Sequence, residues 1–318
     1  MVVRKDDSRG VKRAEADPAS AIATRSGRIA LFRSQDDLQL AARIFDAEPS
    51  ERLPVLCLPG LSRNSRDFLK LGRFLSEHPV EPRRVVALDY RGRGLSDADP
   101  KWRNYTPSVE AQDVLAATAA LGIERAIVVG TSRGGIIAMF LAALRPGLLA
   151  GVVLNDIGPV IETKGLARIK AYLAVKRTVS SWDAAVGACR QIAGDHFPAL
   201  GDEDWRAFAE AYFAESEGGL SPQFAPNLLR AVEAIDLSGQ LPESWPQFAS
   251  LRAIPVLAIR GETSDLLSQR TLTLMAERHP RFEHLTAPGQ GHAPLLRDPL
   301  TMERIFAFAK TCETLARS

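Results

Sequence analysis

Short, unbroken apolar runs recur along the chain and alternate with segments of helical spacing. Val55–Leu58, Val85–Leu88, Ile127–Val129, Gly151–Leu154 and Ile254–Ile259 contain no inward/outward alternation of polar residues. A strand that is apolar on both sides has to be covered on both sides, which is the condition of a parallel sheet flanked by helices. Helical patterns fill the intervals: Asp67–His78, a segment with Thr106 as N-cap and Gly122 as its stop, and the almost wholly apolar Arg133–Leu144. Ile29–Arg33 and Leu38–Ile44, separated by a polar turn, predict an antiparallel hairpin before the sheet begins.

The β signals cease between 158 and 250, where aromatics (Tyr172, Trp182, Phe208, Tyr212, Phe213) lie along amphipathic segments. Strand and helix alternate again after that, with Ser268 capping one helix and Asp298-Pro299 opening the last. The division is therefore a charged tail over 1–25, a core over 26–157 and 251–318, and a helical cap inserted at 158–250. Such an insertion stands over the carboxyl ends of the strands, where open α/β sheets bind ligands.

The 318 residues carry 46% hydrophobic and 25% charged side chains with a formal charge of +2, so no global charge directs the chain to nucleic acid or anionic lipid. The longest apolar stretch, Gly134–Leu144, is far short of the about 20 residues that span a bilayer. The amino terminus has no apolar core of a signal peptide, and three cysteines at wide spacing suggest neither disulfides nor zinc. A cytoplasmic location is expected, with neither metal nor cofactor.

The pentapeptide Gly130-Thr131-Ser132-Arg133-Gly134 falls between a strand and a helix. A serine at such an elbow stands exposed above the sheet edge, and glycines on either side admit the neighbouring backbone. Serine needs a base held by a third group before it attacks a carbonyl. Of the five histidines, His78 and His279 sit at helix ends before prolines, His196 in the cap, and His284 in a strand. His292 follows the turn Pro288–Gly291 after the last strand, at the edge that carries Ser132. Asp265, on the loop after Ile254–Ile259, is the expected acid, with Asp156 and Glu262 as competing carboxylates at the same edge.

The backbone N–H groups of Leu61 and Arg133 are the expected donors to a developing oxyanion. The Arg133 side chain either faces the pocket or pairs with a carboxylate. Asp89–Ser96 lacks the lysine-serine/threonine ending of a nucleotide loop and is read as a structural turn tied by Asp89 and Arg91.

Taken in order, Leu58-Pro-Gly-Leu61, Leu88–Ser96, Val129–Gly135, Arg260–Asp265 and Gly291-His-Ala-Pro294 resemble the α/β-hydrolase superfamily over about residues 28–312. Within it the chain looks like the capped bacterial serine esterases and carbon–carbon bond hydrolases. Two features depart from the common pattern. Pro59-Gly60 stands where many members have His-Gly, and Gly261 to Asp265 is one step longer than the usual acidic loop. A serine nucleophile disfavours dehalogenase and epoxide hydrolase chemistry, for which the family uses aspartate.

The resemblance implies a carboxylesterase acting on a small-molecule ester through an acyl-enzyme. The expected substrates are uncharged, with short to medium acyl chains, in a pocket of about 300–1,000 Å³. The alternatives are a carbon–carbon hydrolase of a vinylogous diketone acid, a lactonase, or a non-catalytic receptor. A carboxylated substrate would want cations near the serine, for which Arg133, Lys170, Lys176 and Arg177 are the candidates.

Overall fold

Period-2 alternation sorts the strand residues of the computed structural model onto two faces. Leu56, Leu58, Val86, Leu88, Val128, Val152 and Leu154 join one apolar core, whereas Val55, Cys57, Val85, Ala87, Ile127, Val129 and Val153 join the other. Both faces are buried, so each strand is apolar throughout. The structure describes residues 26–47, 51–175 and 178–317. The tail expected over 1–25 lies outside them.

Among the described residues, eight strands form one sheet in the order β1-β2-β4-β3-β5-β6-β9-β10. These are β1 (Arg28–Arg33), β2 (Gln39–Phe45), β3 (Val55–Leu58), β4 (Val85–Asp89), β5 (Ala126–Thr131), β6 (Leu149–Asn155), β9 (Val256–Gly261) and β10 (Phe282–Ala287). The hairpin β1–β2 is antiparallel, as is β2 against β4, and the remaining pairings are parallel. The register sets Leu58 beside Gly130, Thr131 beside Asn155, Asn155 beside Ile259, and Gly261 beside Ala287. One edge of the sheet thus gathers the carboxyl ends of β3, β5, β6, β9 and β10, and every loop that carries a candidate residue starts there.

Helices α1 (Leu69–Ser76), α2 (Pro107–Ala120) and α3 (Arg133–Leu144) cover the first half of the sheet. The Thr106 hydroxyl accepts from Val109 N–H and Pro107 takes the first turn of α2, as the sequence predicts. Between β6 and β9 the chain forms α4 (Thr163–Leu173), α5 (Trp182–Ala193), α6 (Asp202–Tyr212), α7 (Pro226–Glu233) and α8 (Trp245–Ala249). This stretch also contains a short antiparallel hairpin, β7 (Phe213–Ser216) and β8 (Gly219–Pro222), where only helices are expected. Its turn uses Gly218 and Gly219, both at positive φ. Phe197, Trp205, Tyr212 and Phe213 give the stretch an apolar core of its own. Helices α9 (Gln269–Arg278) and α10 (Pro299–Arg317) complete the layers. Among the described residues, no helix is long and apolar enough to cross a membrane.

Candidate active site

Ser132 is the single residue between β5 and α3, and it makes the turn at φ 50°, ψ −109°, a region that non-glycine residues rarely occupy. Its N–H donates to the Asn155 carbonyl at 2.9 Å, which fixes the elbow to the neighbouring strand. The flanking glycines are required by contact. A Cβ on Gly134 would lie 2.1 Å from the Leu58 carbonyl oxygen, and one on Gly130 2.5 Å from the Gly134 carbonyl carbon.

The Ser132 Oγ lies 2.9 Å from His292 Nε2, and His292 Nδ1 lies 2.8 Å from Asp156 Oδ2. Asp156 follows β6 directly, is fully buried, and adopts φ 56°. Its N–H donates to the Ile259 carbonyl. Gly261 N–H donates to Oδ1 at 2.7 Å, and the Ser264 hydroxyl donates to Oδ2 at 2.6 Å. Three donors therefore hold this carboxylate, one of them the imidazole.

The expectation for Asp265 is corrected by this geometry. Asp265 receives a bidentate pair from Arg168 on α4, Nε to Oδ2 at 2.7 Å and Nη2 to Oδ1 at 2.8 Å. The loop after β9 turns back at Ser264, whose N–H donates to the Gly261 carbonyl. That turn presents the Ser264 hydroxyl to Asp156 and carries Asp265 toward α4, against which its backbone packs at Gly165. Burial works to raise the Asp265 pKa, but the Arg168 hydrogen bonds and charge outweigh it and hold the carboxyl below its ordinary range. Glu262, the other competitor, accepts from Gly289 N–H at 2.7 Å and so ties its loop to the one bearing His292.

Among the described residues, neither the Leu61 nor the Arg133 N–H donates to a protein acceptor. The Arg133 side chain turns away to a carboxylate, with Nε 2.7 Å from Glu110 Oε2 and Nη2 2.8 Å from the Tyr105 carbonyl. Glu110 is wholly buried and also pairs with Arg93 at 2.8 Å, and Arg93 Nε donates to the Leu61 carbonyl at 2.9 Å. A buried chain of charges thus links the loop of Leu61 to the start of α3. Burial works against the ionised Glu110, yet the charges of Arg133 and Arg93 bring its pKa below the ordinary value. Sequence reasoning missed Glu110 and Arg93, although Arg93 lies inside the glycine-rich turn.

That turn is structural, as expected. Asp89 accepts from Ser65 N–H at 2.6 Å and Leu95 N–H at 3.0 Å, and Arg91 is clasped by Asp113, Asp36 and Asp99. Two of the other histidines serve local packing. His78 stacks on Phe306 and His279 Nε2 contacts the Leu251 carbonyl.

A cleft of about 100 Å³ opens at Ser132, bounded by Leu61, Arg63, Tyr172, Phe208, His292 and Leu295 among others. A second cavity of about 40 Å³ shares Arg63, Tyr172, Phe208 and His292 with it and adds Arg168 and Tyr212. The space is well below the expected 300–1,000 Å³, and Phe208, Tyr172 and Arg63 line both parts of it. Of the cations expected near the serine, Arg133 is committed to Glu110. Lys170 Nζ donates to the carbonyls of Glu233 and Ile235, and Lys176 and Arg177 lie outside the described residues. The guanidiniums that do reach the cavities, Arg63 and Arg168, were not singled out in the sequence. Nothing in their local pattern marks them.

The alpha/beta hydrolase family model matches residues 55–304. The chain is 30% identical over 263 residues to the 3-hydroxybutyrate-oligomer hydrolase of Cupriavidus necator, covering 79% of this chain and 86% of that one. It is 30% identical over 238 residues to the 2-(acetamidomethylene)succinate hydrolase of Mesorhizobium japonicum, covering 75% and 81%. Among solved structures, an alpha/beta hydrolase from Novosphingobium aromaticivorans superposes with a TM-score of 0.82 at 36% identity, over 89% of this chain and 98% of that one. With the fold, the serine elbow and these likenesses in agreement, the chain belongs to the alpha/beta hydrolase family.

Proposed function

We propose that the protein is a serine-dependent carboxylic-ester hydrolase whose triad is Ser132, His292 and Asp156. The observation that carries the reading is the unbroken hydrogen-bond chain from the Ser132 hydroxyl through His292 to a buried carboxylate. His292 Nε2 takes the hydroxyl proton as Oγ attacks the carbonyl carbon. Asp156 holds the proton on Nδ1 and stabilises the imidazolium that forms. The amides of Leu61 and Arg133 receive the oxyanion. Collapse breaks the carbon–oxygen bond, with His292 giving its proton to the departing alcohol. Water then releases the acid from Ser132 by the same steps in reverse. Residues 158–250 act as the cap that walls the cleft.

An ester substrate is favoured by the likeness to a hydrolase of 3-hydroxybutyrate oligomers, since an oligomer of a hydroxy acid is joined by ester bonds. The small cleft favours short acyl groups over medium ones. The test is turnover of p-nitrophenyl acetate, butyrate and palmitate by the wild type and Ser132→Ala. Activity that falls with chain length and vanishes in the variant supports the reading; equal rates in the two proteins would refute it. A second reading, favoured by the likeness to 2-(acetamidomethylene)succinate hydrolase, is cleavage of a non-ester bond in a carboxylated substrate by the same triad. Turnover of that compound far above any ester would select it.

A further inference from the structure

Arg63 follows the loop of Leu61 and lines both the Ser132 cleft and the smaller cavity beside it. Asp67 occupies one side of its guanidinium fork, with Nε 2.9 Å from Oδ2 and Nη2 2.5 Å from Oδ1. Its plane lies over the Phe208 ring, 4.3 Å from the centroid. Nη1 is buried and has no hydrogen-bond partner among the described residues. A buried cationic donor without an acceptor is unfavourable, and an acceptor brought by a ligand relieves it. Arg168, partly exposed, lines the smaller cavity from α4. Asp265 takes its Nε and Nη2, and Nη1 makes no hydrogen bond among the described residues. Tyr172 feels the charge of both guanidiniums and lines both cavities.

Two arginines, each anchored by a carboxylate on one side, therefore bound a small cavity that also touches His292. Their pairing with Asp67 and Asp265 offsets the cost of being partly buried, while the remaining N–H groups are of the kind that bind carboxylates. The cavity is small, about 40 Å³, and its lining is otherwise largely apolar, so the two guanidiniums and His292 are its main polar features.

We propose that Arg63 and Arg168 form a subsite for a carboxylate that the substrate carries a few atoms from its scissile carbonyl. The proposal rests on Ser132 being the nucleophile of the hydrolytic reading above. It replaces the expectation of uncharged esters; the aromatics Phe208 and Tyr172 are present, and they line the cavity beside the guanidiniums. A hydroxy-acid dimer has the required form, since its free carboxylate leaves with the alcohol.

The test uses the full chain and two substrates with one scissile bond, the linear dimer of 3-hydroxybutyrate as free acid and as its methyl ester. The wild type should favour the free acid in kcat/KM by roughly tenfold or more, the scale of one charge-assisted hydrogen bond. In Arg63→Met and in Arg168→Gln this preference should collapse toward one, mainly through KM. Fluorophosphonate labelling of Ser132 shows that each variant is folded. A preference for the methyl ester in the wild type, or a free-acid preference retained in both labelled variants, overturns the subsite. If the wild type cleaves neither dimer nor p-nitrophenyl acetate, the ester reading fails; if it cleaves neither dimer, binding decides the subsite separately. By calorimetry, 3-hydroxybutyrate should bind Ser132→Ala and bind at least tenfold more weakly once Arg168→Gln is added; equal binding, or none to either, overturns it.

Discussion

Asp156 and His292 stand 136 positions apart in the chain and meet with Oδ2 2.8 Å from Nδ1, beyond the ends of β6 and β10. Replacing Asp156 with asparagine keeps the size but offers the imidazole the wrong partner. Turnover of p-nitrophenyl acetate should drop by about 10⁴-fold. Asp265→Asn, which weakens the pair with Arg168, should lose far less. A larger loss in the Asp265 variant would return the triad acid to the loop after β9.

Ser264 supplies the third hydrogen bond to the Asp156 carboxylate, hydroxyl to Oδ2 at 2.6 Å. Ser264→Ala leaves Gly261 N–H in place and removes one charge-assisted bond, which should lower kcat by about tenfold with little change in KM. Steady-state kinetics on one small ester would read this. A change confined to KM would contradict it.

Glu110 sits wholly buried between Arg93 and Arg133. Glu110→Gln leaves two buried guanidiniums without their counter-charge and should destabilise the fold by about 3–5 kcal/mol. The sign of the pH effect follows from a folded pKa below the unfolded one, so the folded protein binds fewer protons here. The Glu110 contribution is complete above the unfolded value near ~4.3 and is lost as pH falls through the lowered folded value. Urea titrations from pH 7 to 3 should show a shallower acid-side loss in the variant. Parallel curves would mean that Glu110 is not charged in the fold.

Gly134 has no room for a methyl group beside the Leu58 carbonyl. Gly134→Ala should push α3 off β3, lowering stability by at least about 1–3 kcal/mol and moving the Arg133 amide as well. Thermal unfolding checks the first effect and fluorophosphonate labelling rate the second. An unchanged melting temperature would contradict the close approach.

The parallel sheet and the elbow at Ser132 were legible because burial on both faces leaves an unbroken apolar run, and a strand–turn–helix leaves a glycine signature. Strand order and register were not read from the sequence. His292 was legible as a histidine on a loop at the same edge. The acid was misread as Asp265, since Asp156 and Asp265 both follow buried strands in the order the chemistry requires. What separates them is the turn at Ser264, a matter of one residue of loop geometry. Arg168, Glu110 and Arg93 pair with residues 17 to 97 positions away, a separation that no local spacing announces. The pair of Arg63 with Asp67, four positions on, has the pattern of an ordinary helical ion pair. The hairpin β7–β8 escaped notice because four-residue strands inside a helical stretch carry almost no periodicity.

The covalent intermediate tests the central claim most directly. Wild-type protein mixed with excess p-nitrophenyl butyrate and quenched in acid within the first turnover should carry one butyryl group, mapped by peptide mass spectrometry to Ser132. Ser132→Ala should carry none and release no burst of p-nitrophenol. An acyl group on another residue, or wild-type turnover retained in Ser132→Ala, would contradict the account.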